Sequence, residues 1–194
     1  MPTNSTGGYN VAMGVNTMFN NTSGSQNVAL GSSALYSSTS SEGNVSVGAS
    51  SLYSNSTGNS NTALGSNALT STTQGGNNVA IGYSAGRQNT TGTGNVFIGN
   101  EAGNTSSYQT ASNKLVVANS DTETPLIEGD FSAKTLKVNG SIEANSVKSS
   151  GIGDRYFTLT ISANGNGAIS ISTSPTGTPF NLPSTVYAIN KSPR

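Results

Sequence analysis

The 194-residue chain has no cysteine and no histidine, and Asp, Glu, Lys and Arg together make up only 8% of it. Without a thiol there is no disulfide framework and no thiolate metal site. Without an imidazole the chain also lacks the base of Ser–His and Cys–His chemistry and the commonest zinc ligand, so neither a metal nor another cofactor is expected. Eight basic residues balance eight acidic ones, which leaves no electrostatic footprint for phosphates, and nucleic acid is not an expected partner. Apolar residues reach 32%, below the near-half share of an average soluble domain, so a conventional large core is not expected either. No run is apolar enough to span a bilayer, and the opening Met1-Pro-Thr-Asn-Ser-Thr-Gly-Gly lacks the basic and apolar blocks of a secretory signal. Membrane insertion is therefore not expected.

What the chain does have is a phrase that returns every 17 residues without a slip: Asn10-Val-Ala-Met-Gly14, Asn27-Val-Ala-Leu-Gly31, Asn44-Val-Ser-Val-Gly48, Asn61-Thr-Ala-Leu-Gly65, Asn78-Val-Ala-Ile-Gly82 and Asn95-Val-Phe-Ile-Gly99. A fixed period without insertions means that each unit stacks on the next, which is the signature of a solenoid. The phrase reads as a short strand whose side chains alternate between two faces. The larger ones are expected inside, so that Val11, Met13, Val28, Leu30, Val45, Val47, Leu64, Val79, Ile81, Val96 and Ile98 form the interior. Asn and Gly are expected to make turns and stacked side-chain ladders on the other face.

Eight residues after the Asn comes a second apolar seam, Met18, Leu35, Leu52 and Leu69, which gives way to Gly86 and Gly103 and is expected to narrow there. The next column starts with Phe19, Tyr36 and Tyr53. A glycine also precedes most phrases by three residues, at Gly7, Gly24, Gly58, Gly75 and Gly92, with Ser41 the exception. Glycines at both ends of the phrase suit corners of positive φ.

Charge changes abruptly near residue 100. Before it stand only Glu42 and Arg87, and every other charged residue lies from Glu101 onward. Lys114–Ala118, Thr124–Glu128 and Lys134–Gly140 read as strands, separated by the turn formers Asn119-Ser-Asp121 and Gly129-Asp130. Further on, Tyr156–Ile161 and Ala168–Ser172 alternate around a candidate hairpin loop at Asn164-Gly165-Asn166-Gly167. No segment reads as a helix. The expected organisation is an N-terminal arm (1–6), six solenoid repeats (7–108), a strand connector (109–150) and a C-terminal β-domain (151–194).

The Asn-Val-Ala-aliphatic-Gly phrase resembles the head repeats of trimeric autotransporter adhesins. With Leu115-Val-Val-Ala-Asn119 and Thr124-Pro-Leu-Ile-Glu-Gly-Asp-Phe131 after it, the succession is similar to bacteriophage tail fibres and related virion fibres. The resemblance implies an all-β, elongated homotrimeric β-solenoid or β-roll with a small C-terminal β-domain. It also implies a structural role in host-surface attachment, with other virion or appendage proteins and a cell-surface glycan as partners. Neither an export signal nor an anchor is seen, which favours the virion, assembled in the host cytoplasm and extracellular after release, over a secreted or autotransporter-like adhesin head.

Catalysis is not expected. Asp121 with Glu123, or Glu128 with Asp130, would be the acid pairs of a glycoside hydrolase, but both sit in turn-rich sequence where solvated loop carboxylates are the simpler reading. An ice-binding solenoid is a third reading, weakened by mixed Ser/Thr runs such as Ser37–Ser41 in place of a regular Thr-x-Thr. The receptor-binding residues are unknown from sequence; the loops of the C-terminal domain are the expected place for them.

Overall fold

The computed structural model describes residues 4–141. The expected C-terminal β-domain at 151–194, residues 1–3 of the arm and residues 142–150 of the connector lie outside the described residues. What is described is a single nine-stranded sheet with one 3-10 turn, Ser106–Tyr108, and no α-helix. Strands β1 (Val11–Met13), β2 (Val28–Leu30), β3 (Val45–Val47), β4 (Thr62–Leu64), β5 (Val79–Ile81) and β6 (Val96–Ile98) follow one another in space as in sequence. Each pairs with the next in parallel, and equivalent residues are opposite each other: Val28 faces Val45 and Leu64 faces Ile81. Six turns of about 4.8 Å make a stack on the order of 30 Å tall. Coils 1 to 6 are named after strands β1 to β6.

The inside of each coil differs from the sequence expectation. The middle residue of the strand points inward: Ala29, Ser46, Ala63, Ala80 and Phe97 are fully buried. Val11, Met13, Val45, Leu64, Ile81 and Ile98 are exposed, while Val28, Leu30, Val47, Val79 and Val96 are half-buried on the same outer face. All eleven residues expected to form the interior therefore stand outside it. The two faces of the strand were separated correctly, but volume rather than hydropathy decides which is inner. A 17-residue coil closes tightly around Met18, Leu35, Leu52 or Leu69, all fully buried, and little more than a methyl group remains for the strand opposite.

The leucine seam stores strain to reach that position. Met18, Leu35, Leu52 and Leu69 have φ between 47 and 51°, a left-handed conformation that costs roughly 1–2 kcal/mol for a residue with a Cβ. Burying such a side chain returns about 1.5–3 kcal/mol, so the coil gains by turning it inward. The glycine that closes the phrase is required twice over. Gly48 has φ +133°, and a Cβ there would lie 2.5 Å from the Gly65 carbonyl oxygen. The glycines before the phrase have no positive φ, contrary to expectation. They are small because a Cβ at Gly24 would meet Asn21 Oδ1 at 2.4 Å. Coil 3 carries Ser41 at this position, and there the asparagine is replaced by Ser38, whose hydroxyl sits 2.6 Å from that of Ser41.

The second seam does not narrow at coils 5 and 6. Phe97 replaces the small strand residue and fills the space that the leucine leaves: a Cβ on Gly86 would lie 2.5 Å from its ring, and one on Gly103 would lie 2.1 Å from it. Beyond coil 6 the spacing lengthens, and β7 (Lys114–Val117) still pairs in parallel with β6, Val96 opposite Leu115. Two antiparallel strands, β8 (Ile127–Asp130) and β9 (Thr135–Val138), complete the sheet. The middle strand was expected at Thr124–Glu128 but starts three residues later, after Pro125, which has no N–H to give to a ladder. Gly129-Asp130, read as a turn, belongs to β8: Gly129 lies opposite Leu115, where a Cβ would approach the Leu115 Cβ to 3.2 Å. The turn falls instead at residues 131–134, where Asp130 Oδ1 accepts the backbone N–H groups of Ser132 and Ala133, both at 2.9 Å.

Candidate interaction surface

An internal asparagine ladder and two external columns run the length of the coils, and a shorter aromatic column covers coils 1 to 3. The phrase asparagines are inward and, from Asn27 to Asn95, fully buried. Each side-chain carbonyl accepts the backbone N–H of the next phrase residue, at 3.0 Å for Asn10 with Asn27, 2.9 Å for Asn44 with Asn61, and 2.9 Å for Asn95 with Lys114. Each Nδ2 donates to a backbone carbonyl of the next coil, Asn61 to Gly75 at 2.8 Å and Asn78 to Gly92 at 2.9 Å. Buried amides remain stable only when so paired. Of the positions read as structural from the sequence, Asn27, Asn44, Asn61, Asn78 and Asn95 lie in this buried hydrogen-bonded layer and Asn10 half-buried at its start, whereas Gly31, Gly48, Gly65, Gly82 and Gly99 are half-buried and Gly14 exposed, their role being the close approach of one coil to the next.

On the outside, the strand valines and the aliphatic residues two places later form a strip two side chains wide. Met13 is 67% exposed, Leu64 47%, Ile81 40% and Ile98 38%. No charged side chain interrupts it between Val11 and Ile98, since the only charges in that span, Glu42 and Arg87, fall outside the phrases. Next in sequence to the leucine seam, Phe19, Tyr36 and Tyr53 stack face to face with ring centroids 5.4 and 5.0 Å apart. Their faces cover one another, which accounts for the ladder as packing.

A third column was missed in sequence. Ser5, Thr22, Thr39, Ser56, Thr73 and Thr90 each donate the side-chain hydroxyl to the backbone carbonyl of the equivalent residue in the next coil, at 2.9 to 3.2 Å. Counting hydroxyls at a 17-residue offset, rather than looking for Thr-x-Thr within a repeat, would have found it.

The carboxylates sit in the hairpin end. Lys114 Nζ donates to Asp130 Oδ2 at 2.6 Å, and this bond, with those from Ser132 and Ala133, holds the Asp130 carboxyl well below its usual range. The Tyr108 hydroxyl donates to Glu128 Oε1 at 3.0 Å. Burial of the ring, then the neighbouring Glu128 carboxylate, pushes the Tyr108 phenol well above its ordinary value. Glu128 and Asp130 are thus engaged in holding β7, β8 and the 3-10 turn together. Among the described residues no group of three or more Asp and Glu is placed to hold a metal ion, and no helix is long and apolar enough to cross a membrane. Set against known proteins, the chain matches no family model, no curated protein and no solved structure.

Proposed function

We propose that the chain is a structural segment of a homotrimeric fibre, a phage tail fibre or other virion appendage, that carries host-attachment surfaces away from the particle. The observation that carries this reading is the uncharged outer strip, where Met13, Leu64, Ile81 and Ile98 stand exposed on the rungs of one column. An apolar stripe of this kind, interrupted only by Thr62 in its valine column, on a stack so poor in charge calls for a partner surface. Closed homo-oligomers are the usual way to supply one. A strip only two side chains wide suits three parallel copies around an axis along the stack, because each of its two columns then faces a different neighbour. Three copies also multiply weak contacts to a repetitive cell-surface glycan through effective concentration.

The test is the solution mass by light scattering of the wild-type chain and of a Leu64→Asp/Ile81→Asp variant. The reading expects three chains for the wild type and one for the variant, with the β-sheet circular dichroism retained because both substitutions face outward. A wild-type monomer overturns it. A second reading, ice binding, draws on the hydroxyl column from Ser5 to Thr90, exposed as far as Thr39 and half-buried beyond it. Each of those hydroxyl protons is already held by a carbonyl, and absence of freezing hysteresis would remove the idea.

A further inference from the structure

The outer strip does not stop with the coils. Its valine column meets Leu115 on β7 and carries on through Gly129 on β8 to Leu136 on β9, and its aliphatic column meets Val117 and carries on through Ile127 to Val138. Residues opposite one another in a sheet stand on the same face in parallel and antiparallel pairs alike, so the face survives the change from coils to hairpin. Gly129 is buried beneath Leu115, whose Cβ and Cδ2 would lie 3.2 and 3.6 Å from a Cβ placed there. Leu136 is 67% exposed, and Leu115, Val117, Ile127 and Val138 are half-buried.

The charges of these three strands are sorted to the other face. β7, β8 and β9 hold Lys114, Glu128, Asp130 and Lys137, and all four stand on the face that carries the coil interior onward from Phe97 through Val116. Lys114 pairs with Asp130 there, and Tyr108, which packs on Phe97, reaches Glu128 from that side. An antiparallel sheet with one covered face turns its apolar side chains toward the cover. Here they look the way the strip looks, so the cover they fit is the one the strip faces. Area points the same way. Six rungs, about 30 Å tall and about 10 Å across, offer about 300 Å², well short of the roughly 800 Å² that each partner of a stable interface buries. Association needs surface beyond the coils, and the hairpin end is where the same strip continues.

We infer that the outer face of β7 to β9 is a contact surface for further copies of this chain, which meet along one interface from β1 to β9. The inference rests on the fibre reading above and adds to it which surfaces meet beyond the coils. Around a threefold axis two different patches meet at each interface. The valine column of one copy therefore faces the aliphatic column of the next, and on the last rung Leu136 of one copy meets Val138 of its neighbour.

Because the chain has no cysteine, introduced pairs report on this directly. The full chain carrying Leu136→Cys/Val138→Cys, oxidised with copper phenanthroline, is expected to run as three linked chains on a non-reducing gel, at least tenfold more of it than from Thr135→Cys/Lys137→Cys on the opposite face of the same strand. A coil pair, Thr62→Cys/Leu64→Cys, and the scattering mass of the wild type report separately on the fibre reading. Absence of linked chains from the Leu136/Val138 pair overturns the inference whatever the coil pair gives, and linked chains from the coil pair alone overturn it while leaving the fibre reading intact. Equal linking by the Thr135/Lys137 pair also overturns it, as random collision. As a second measurement, Leu136→Asp is expected to lower the scattering mass with the β-sheet circular dichroism retained; a mass equal to that of the wild type overturns the inference.

Discussion

In coils 2 to 4 the strand gives the interior a small residue, Ala29, Ser46 or Ala63, and the far side gives a leucine; in coil 6 the strand gives Phe97 and the far side gives Gly103. Both arrangements fill the same narrow space, with the volume moved from one wall to the other. The difference decides which layer can be stacked on each coil. A leucine hands the seam on to the next leucine, and the stack continues. Phe97 instead packs edge-on against Tyr108 with centroids 6.0 Å apart, and Tyr108 reaches Glu128 on β8. The phenylalanine thus joins the last coil to the antiparallel hairpin that covers it.

The largest effect that separates mid-stack from edge is expected at glycine. Gly65→Ala would place a Cβ 2.3 Å from the Gly82 carbonyl oxygen at φ +141°, and the strain falls on backbone that is itself paired above and below. We expect a loss of at least about 4 kcal/mol in denaturant unfolding. Gly8→Ala, with nothing within 4 Å of the added carbon, is expected to change stability by no more than about 0.5 kcal/mol. Equal losses at the two sites would show that the glycine columns are not what limits the stack.

Next in size is the volume exchange. Phe97→Ala removes a fully buried ring and is expected to cost about 3–5 kcal/mol. Adding Gly86→Leu and Gly103→Leu re-creates the pattern of coils 2 to 4, where Leu69 already adopts φ 51°, and is expected to recover more than half of that loss. If the triple variant is less stable than Phe97→Ala alone, the two walls are not interchangeable. Asparagine gives a graded version. Asn61→Ala strands the Asn78 N–H and the Gly75 carbonyl, while Asn78 Nδ2 keeps its bond to Gly92, at about 1–3 kcal/mol for each buried group left unpaired. Asn10→Ala removes the equivalent bonds, to the Asn27 N–H, Asn27 Nδ2 and the Gly24 carbonyl, from a half-buried side chain in the outermost described coil, and is expected to cost less, about 1 kcal/mol.

The periodicity made much of this readable in the sequence alone. Identical spacing of Asn10, Asn27 and Asn44 requires parallel in-register pairing, and the charge step near Glu101 marks the end of the coils. Which strand face is inner was not readable, because hydropathy favours burying Val28 and Leu30 while the decisive quantity is the space left opposite Leu35, a property of the closed coil. The replacement of Leu69 by Gly86 looked like a loss until Phe97, eleven residues further on and one coil away, proved to occupy the gap. The outer strip followed the same inversion: residues picked for a core turned out to be the candidate interaction surface.

The smallest difference expected between the two regions is in their response to pH. Among residues 4–100 the only charged side chains are Glu42 and Arg87, whereas the hairpin end holds two groups displaced in opposite directions. The folded pKa of Asp130 is depressed, with the Lys114 bond its main cause. Its contribution is therefore present above the unfolded value of 3.8 and is lost as pH falls toward the folded value. Tyr108 is raised, mainly by burial, so the folded state holds the phenolic proton more tightly than the unfolded one. That contribution is complete below the unfolded value of 10.0 and declines as pH rises above it. Measured against the intrinsic, base-catalysed rate, amide protection in β7 and β8 is expected to fall above pH 10 in the wild type while that in β3 and β4 does not. Tyr108→Phe should lose about 1 kcal/mol at neutral pH with the hydrogen bond to Glu128, and should flatten the alkaline limb. An alkaline limb of unchanged steepness in the phenylalanine variant would place the sensitivity elsewhere than at the junction between the last coil and its cap.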